Sequence, residues 1–284
     1  MIRAYLQLFR IPGIFTVFSN ILLGFFIVQD GIIQWVSLVF LLVTSGFLFL
    51  SGVTLNDFFD YSLDKKERPE RPLVSGKISR KHAFLFGITF IIIANLFAFF
   101  VSIQALIISL LMSGLIFSYD IKLKHISILG ILDLSLIRFL NIFLGASIVL
   151  LNKEIIILSI PLATLVAGIS VLAKHELSTS SKYILLNKIF VIITILLATI
   201  IVINNNVSYN LIFLIIFIVL SYLPFAIFNN KSSQDVKKIV TIQLLNIIIL
   251  DATLIATISE ILFAVITISL YIPAYFISKK IYFT

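Results

Sequence analysis

Runs of apolar residues long enough to cross a bilayer follow one another almost from end to end of this chain, separated by short polar connections. That pattern leaves few options. Backbone inside hydrocarbon must satisfy its own N–H and C=O groups, so such a chain folds as helices or as a closed barrel. Runs of about 20 residues match spanning helices, not the shorter alternating strands of a barrel. We place the passes at about 11–29, 35–56, 82–102, 104–118, 128–151, 155–173, 184–203, 210–228, 237–257 and 260–277. Composition agrees: 61% of the 284 residues are hydrophobic and only 12% are charged, far less charge than a soluble domain carries. The expected fold is all-α, a polytopic transmembrane helical bundle of nine to ten helices, in a single integral-membrane domain over residues 1–284. Membrane lipids are then its immediate partners.

The net charge of +8 is distributed by side. Arg3, Arg10, the 65–81 loop, Lys122, Lys124, Lys174, Lys182, Lys188, Lys231, Lys237, Lys238, Lys279 and Lys280 fall on alternate connections, whereas the opposite side has Lys153. By the positive-inside rule both termini and the motif-bearing loops face the cytoplasm, in a multi-pass protein of the cell (inner) membrane with an even number of crossings. No aromatic-basic platform accompanies the charge, which argues against nucleic acid as a partner. The first apolar run lacks a small-residue cleavage site and is read as a retained helix. The absence of cysteine excludes disulfides and thiolate chemistry.

One polar segment stands out, Asn56-Asp57-Phe58-Phe59-Asp60-Tyr61-Ser62-Leu63-Asp64 at the end of the second pass. Asn56, Asp60 and Asp64 are spaced i, i+4, i+8, which on a helix lines one face. Carboxylates stacked at a membrane edge repel one another unless a cation lies between them. Oxygen ligands without histidine or cysteine suit Mg²⁺, which takes further oxygens from water and phosphate. Basic residues follow at once; Arg68 and Arg71 are placed to hold the same phosphates, while Lys65 and Lys66 are explained as orientation-setting loop charges.

The ordered pattern Asn56-x-x-x-Asp60-x-x-x-Asp64, Arg68, then Arg71-Pro72-Leu73-x-Ser75-Gly76-Lys77 resembles the first aspartate-rich motif of the UbiA family of intramembrane prenyltransferases. The resemblance implies an enzyme that moves an isoprenoid chain from its diphosphate to a lipophilic acceptor, with Mg²⁺ on Asn56, Asp60 and Asp64. Arg68, Arg71 and Lys77 would neutralise the diphosphate. Tyr119 and Lys124, with Lys122, occupy the next loop on the same side, where the family carries a tyrosine and a lysine. The family characteristically has nine helices, so the short junction Ile258-Ser259-Glu260 is either a tight hairpin or a kink within one element.

The chain departs from the family in the third loop. There Lys174-His175-Glu176-Leu177-Ser178 stands where most members carry a second aspartate-rich motif. Cation binding then falls mainly to the first motif, and His175 or Glu176 is the expected base for an acceptor proton. Within the passes, Asn20, Arg138, Asn141, Gln243, Asn246 and Asp251 are expected to face the bundle interior. Arg138 and Asp251 are an expected internal pair. Arg138, Asn141 and Asn20 alternatively line the substrate cavity.

The function expected from this resemblance is Mg²⁺-dependent prenyl transfer from an isoprenyl diphosphate to an aromatic quinone precursor or similar acceptor. Two alternatives stand beside it. One is a geranylgeranylglyceryl phosphate prenyltransferase of ether-lipid synthesis. The other is a non-catalytic protein that binds or transports isoprenoid lipid.

Overall fold

The computed structural model describes residues 2–29, 33–149, 153–175, 180–205, 210–228 and 232–281, and among these there is no β-strand. The helices are α1 Ile2–Leu8, α2 Pro12–Val28, α3 Trp35–Phe59, α4 Tyr61–Glu67, α5 Arg80–Val101, α6 Ile103–Ile121, α7 Ser127–Gly145, α8 Lys153–Lys174, α9 Ser181–Asn204, α10 Asn210–Ile227, α11 Ser233–Ile258, α12 Ile261–Ser269 and α13 Tyr271–Ser278. Among the described residues nine stretches are long and apolar enough to cross a membrane, and α1 with α2, bent by 47°, makes a tenth if counted as one span. Each expected pass coincides with one of these. The chain is an integral membrane protein.

The junction at Ile258-Ser259-Glu260 is a tight turn: Ser259 and Glu260 are extended, and α12 packs back on α11. The last span is interrupted at Leu270. Pro273 has no N–H to give Ser269 and its ring crowds that carbonyl, so helix α12 ends at Ser269 and α13 restarts at Tyr271.

Burial ranks the helices. The most apolar stretch of α11 is 83% buried and that of α8 is 72%, against 17% for α5 and 22% for the α12–α13 span. Helices α8 and α11 form the centre, and α5 turns Ile92, Leu96, Phe99 and Phe100 outward. Lipid accepts such residues at no cost, so amphipathicity cannot order this bundle as it would in water. Close backbone approach helps to order it instead. Gly24 of α2 faces the carbonyl oxygen of Ile142, and Gly145 of α7 faces that of Ile21; a methyl group at either would run into backbone. This reciprocal crossing brings the polar residues of α2 against those of α7.

Buried side-chain amides tie further helices together. Asn187 and Gln243 exchange two hydrogen bonds of 2.9 Å between α9 and α11. Asn246 donates to Ser221 Oγ at 2.6 Å between α11 and α10. These in-membrane polar groups are structural.

Helix α3 carries the motif out of the apolar layer. Its 25 residues span about 37 Å, more than the hydrocarbon thickness of about 30 Å. A second, small apolar cluster lies apart from the main core. In it Ala4 and Leu8 of α1 pack with Leu73, Ile78 and Ala83, flanked by Tyr5, Phe9 and Tyr61. It pins the segment that follows α4 against the N-terminal helix.

Candidate active site

The helical register that sets the acidic face survives a break in the helix. Asp60 separates α3 from α4 with φ −82° and ψ 3°. The i→i−4 bonds nevertheless continue through it, from Asp60 N to Asn56 O at 2.9 Å and from Asp64 N to Asp60 O at 2.8 Å. Asn56, Asp60 and Asp64 therefore stay on one side, and all three line a cavity of about 720 Å³. The cavity opens among Arg10, Arg68, Arg71, Tyr119, Asp120, Lys124 and Lys174, and continues inward past Val17, Leu48, Ile116, Leu134, Val166 and Leu244 to Arg138 and Asn141.

The mouth is a lattice of opposite charges. Arg71, itself buried, reaches Asp64 Oδ2 at 2.6 Å and Asp57 Oδ1 at 3.0 Å through one nitrogen. Arg10 Nη2 donates to the same Asp57 oxygen at 2.7 Å. Arg10 takes a positive φ of 44°, a costly conformation for a residue with a Cβ. Lys124 Nζ lies 2.6 Å from Asp60 Oδ1, and Lys174 Nζ donates to the Lys124 carbonyl at 2.7 Å, linking two loops. Asn56 Nδ2 donates to Asp120 Oδ1 at 3.0 Å. Burial raises the Asp64 carboxyl above the usual carboxylate range, and Arg71 pulls in the opposite direction.

Deeper in, Arg138 donates to Asn20 Oδ1 and Thr16 Oγ1, each at 3.1 Å. Asn20 Nδ2 and Ser19 Oγ both donate to Asp251 Oδ2 at 2.6 Å. The expected pair of Arg138 and Asp251 is thus not in direct contact; Asn20 stands between them and joins both. Asn141 is fixed by Ser45, which donates to its Oδ1 at 2.7 Å, and by the Val17 carbonyl, which accepts from its Nδ2 at 2.9 Å.

Not every expected residue reaches the cavity. Asn20 is fully buried behind Arg138. Lys77 is exposed and lies outside it, because the left-handed turn at Gly76 (φ 72°) and the buried Ile78 direct it away. Lys122 is exposed at the end of α6, and the tighter 3₁₀ turn Leu123–His125 brings Lys124 to Asp60 instead. His175 stacks on Tyr183 at 3.6 Å between ring centroids, outside the cavity lining. Glu176 lies outside the described residues.

Three groups at the mouth had no site role in the sequence reasoning. Asp57 points off the Asn56–Asp60–Asp64 face and becomes important only through Arg10 and Arg71. Arg10 counts in the sequence as one more topology-setting charge. Asp120 directly follows Tyr119, and only the approach of α6 to α3 reveals its partner.

The donor set suits a hard cation: oxygens of Asn56, Asp60 and Asp64, all three on the cavity wall. Among the described residues no three acidic or histidine side chains converge closely enough to hold a metal alone. A cation here would complete its shell with phosphate and water oxygens, as Mg²⁺ usually does.

Comparison with known proteins agrees with this fold. A digeranylgeranylglyceryl phosphate synthase of Pyrococcus furiosus is 35% identical over 111 residues, 38% of this chain and 39% of the relative. The Sulfurisphaera tokodaii protein of the same name is 27% identical over 144 residues, 51% of this chain and 52% of the relative. The matches thus cover about half or less of these curated relatives. Solved folds align more completely. A digeranylgeranylglyceryl phosphate synthase structure superposes with a TM-score of 0.64 at 20% identity, covering 94% of this chain and 99% of that one. A UbiA homologue from Archaeoglobus fulgidus bound to GPP and Mg²⁺ gives 0.58 at 16% identity, covering 98% and 100%. The model of the UbiA prenyltransferase family matches residues 17–179, more than half of the chain. On this match, and with the fold in agreement, the chain belongs to the UbiA prenyltransferase family.

Proposed function

We propose that this protein transfers an isoprenoid chain from its diphosphate to the hydroxyl of a glyceryl phosphate ether, forming a second ether bond. The observation that carries prenyl transfer is a single cavity with a charged mouth and an apolar interior. Asn56, Asp60, Asp64, Arg68, Arg71 and Lys124 line the mouth, while Val17, Leu134 and Leu244 line the interior. The ether acceptor is favoured over an aromatic quinone precursor because relatives at 27–35% identity carry the name digeranylgeranylglyceryl phosphate synthase.

In this scheme the bond from the allylic carbon to the diphosphate oxygen breaks, and the electron pair leaves with diphosphate. The acceptor oxygen bonds to that carbon and gives up its proton. Arg68, Arg71 and Lys124 hold the diphosphate oxygens where negative charge develops. Asn56, Asp60 and Asp64 would hold Mg²⁺, which would supply further charge neutralisation at the diphosphate when bound. The apolar walls hold the tail and exclude water from the carbon that becomes positive. Tyr119 lines the cavity, and its ring is the proposed neighbour of the donor's allylic end. Glu176, two residues beyond the cavity-lining Lys174, is the proposed proton acceptor. Arg138 and Asn141 offer fixed polar contacts deep in the cavity. We place the mouth on the cytoplasmic side, where the basic loops lie.

The test is purified protein with geranylgeranyl diphosphate, Mg²⁺, and either geranylgeranylglyceryl phosphate or 4-hydroxybenzoate, read by diphosphate release and product mass. An ether product that disappears in the Asp60→Ala, Asp64→Ala double variant is the expected result. A prenylated aromatic product in its place would return the acceptor to the quinone class. Isoprenoid binding with no turnover on either acceptor would count against an enzyme of this kind.

A further inference from the structure

Asp120, the penultimate residue of α6, is 2% exposed and still forms part of the cavity wall. The chemistry proposed for the site does not use it. Its Oδ1 accepts the 3.0 Å hydrogen bond from Asn56 Nδ2, and its Oδ2 has no hydrogen-bond partner.

Asn56 differs from Asp60 and Asp64 in one respect that matters. Either oxygen of a carboxylate binds a cation, but a carboxamide has one end that binds and one that repels. Only its oxygen is a ligand; its NH₂ group is a donor with no lone pair to offer. A half-turn of the amide plane separates the two states, and the torsion that interconverts them is broad and two-fold. An ionised carboxylate beside the amide removes this ambiguity. It has no hydrogen to donate, so only the nitrogen end can face it. The carbonyl end is then the one left to the cavity.

A serine or asparagine at position 120 could make the same contact with less desolvation, because a buried charge costs more than a buried dipole. Either would also donate, however, and so would accept the inverted amide equally well. A carboxylate is the side chain that enforces one orientation.

Given the cation-binding role proposed for Asn56, Asp60 and Asp64, we propose that Asp120 is a positioning residue. It fixes the carboxamide of Asn56 so that Oδ1 is presented to the divalent cation that accompanies the diphosphate. Asp120 acts through Asn56 and does not itself bind the metal.

The test is Mn²⁺ affinity, measured by electron paramagnetic resonance on the full-length chain with inorganic diphosphate and without acceptor. Loss of an outer-shell partner typically weakens metal binding about tenfold to a hundredfold. Asp120→Ala is expected to fall in that range. Asn56→Leu is expected to lose at least as much, and the double variant no more than Asn56→Leu alone, because residues acting through one contact are not additive. Asp120→Asn keeps the shape and one acceptor oxygen, folds without a cavity, and is expected to lose less than Asp120→Ala. Additive losses in the double variant would make Asp120 a direct ligand and overturn the proposal. So would an Asp120→Asn variant that binds Mn²⁺ as tightly as the unmutated chain, since an enforced amide orientation would then not matter. Unchanged Mn²⁺ affinity in Asp120→Ala, with turnover lost, would overturn it in favour of a proton-transfer role. If the unmutated chain bound no Mn²⁺, the cation role of the motif would fail, and this inference with it.

Discussion

Lys124 Nζ and Asp60 Oδ1 lie 2.6 Å apart, so the carboxylate at the centre of the acidic face is matched by a cation delivered from the next loop on the same side of the bundle. The same lysine is proposed to serve the diphosphate. It must then shift its allegiance from Asp60 to the substrate when a cation takes over the carboxylate.

We expect Lys124→Met to separate two quantities. Mn²⁺ should bind as tightly as before or more tightly, because a competitor for Asp60 is gone. Diphosphate release should slow by about a hundredfold, the scale on which loss of one charge-stabilising group is felt. Parallel metal titration and single-turnover kinetics check this, and a fall in metal affinity would contradict it.

Arg71 contacts two buried carboxylates with one nitrogen. Its replacement by methionine leaves Asp57 and Asp64 short of a counter-charge in a poorly solvated place. The expected loss is about 3–5 kcal/mol of stability, read as a lower unfolding temperature in detergent. Arg71→Lys should recover only part of it, because an ammonium is a compact, more strongly hydrated charge and costs more to bury.

The crossing of α2 and α7 leaves no room for a side chain at Gly24 or Gly145. Gly24→Ala is expected to cost about 1–3 kcal/mol, the usual scale for overpacking. Because the same crossing sets Asn20 against Arg138, the variant should also change how the deep end of the cavity binds ligand. Thermal melting and donor titration of one preparation test both effects.

His175 is held below the ordinary histidine range, first by burial and then by the neighbouring Lys174. The folded chain thus binds this proton less tightly than the unfolded chain. Stability contributed by the neutral ring is present above pH 6.5, the usual histidine value, and declines as pH falls through the window beneath it. A histidine NMR titration should show a midpoint under 6.5 that vanishes in His175→Asn.

The hydrophobic runs were enough to place every span, because in a bilayer length and apolarity decide whether a helix crosses. The face shared by Asn56, Asp60 and Asp64 was also legible, since helical register is local and persisted through the break at Asp60. Contacts between distant segments were not legible. Nothing local marks Asp57 as the meeting point of Arg10 and Arg71, or Asp120 as the partner of Asn56. Lys77 and Lys122 show the opposite limit: spacing brought them near the motif, and a left-handed glycine and a 3₁₀ turn sent them elsewhere. Asn20 between Arg138 and Asp251 depends on two glycines whose packing role no periodicity announces.

The small apolar cluster beneath the motif segment has a practical consequence. Ala4 and Leu8 supply part of the floor on which Leu73 and Ile78 rest, and Arg71 is carried on that floor. A chain shortened by its first eight residues would keep α2 and the nine stretches that are each long enough to cross a membrane. It would nonetheless lose the foundation of the loop that carries Arg71, so such a protein should insert and fold while failing to gather Asp57 and Asp64 around one guanidinium.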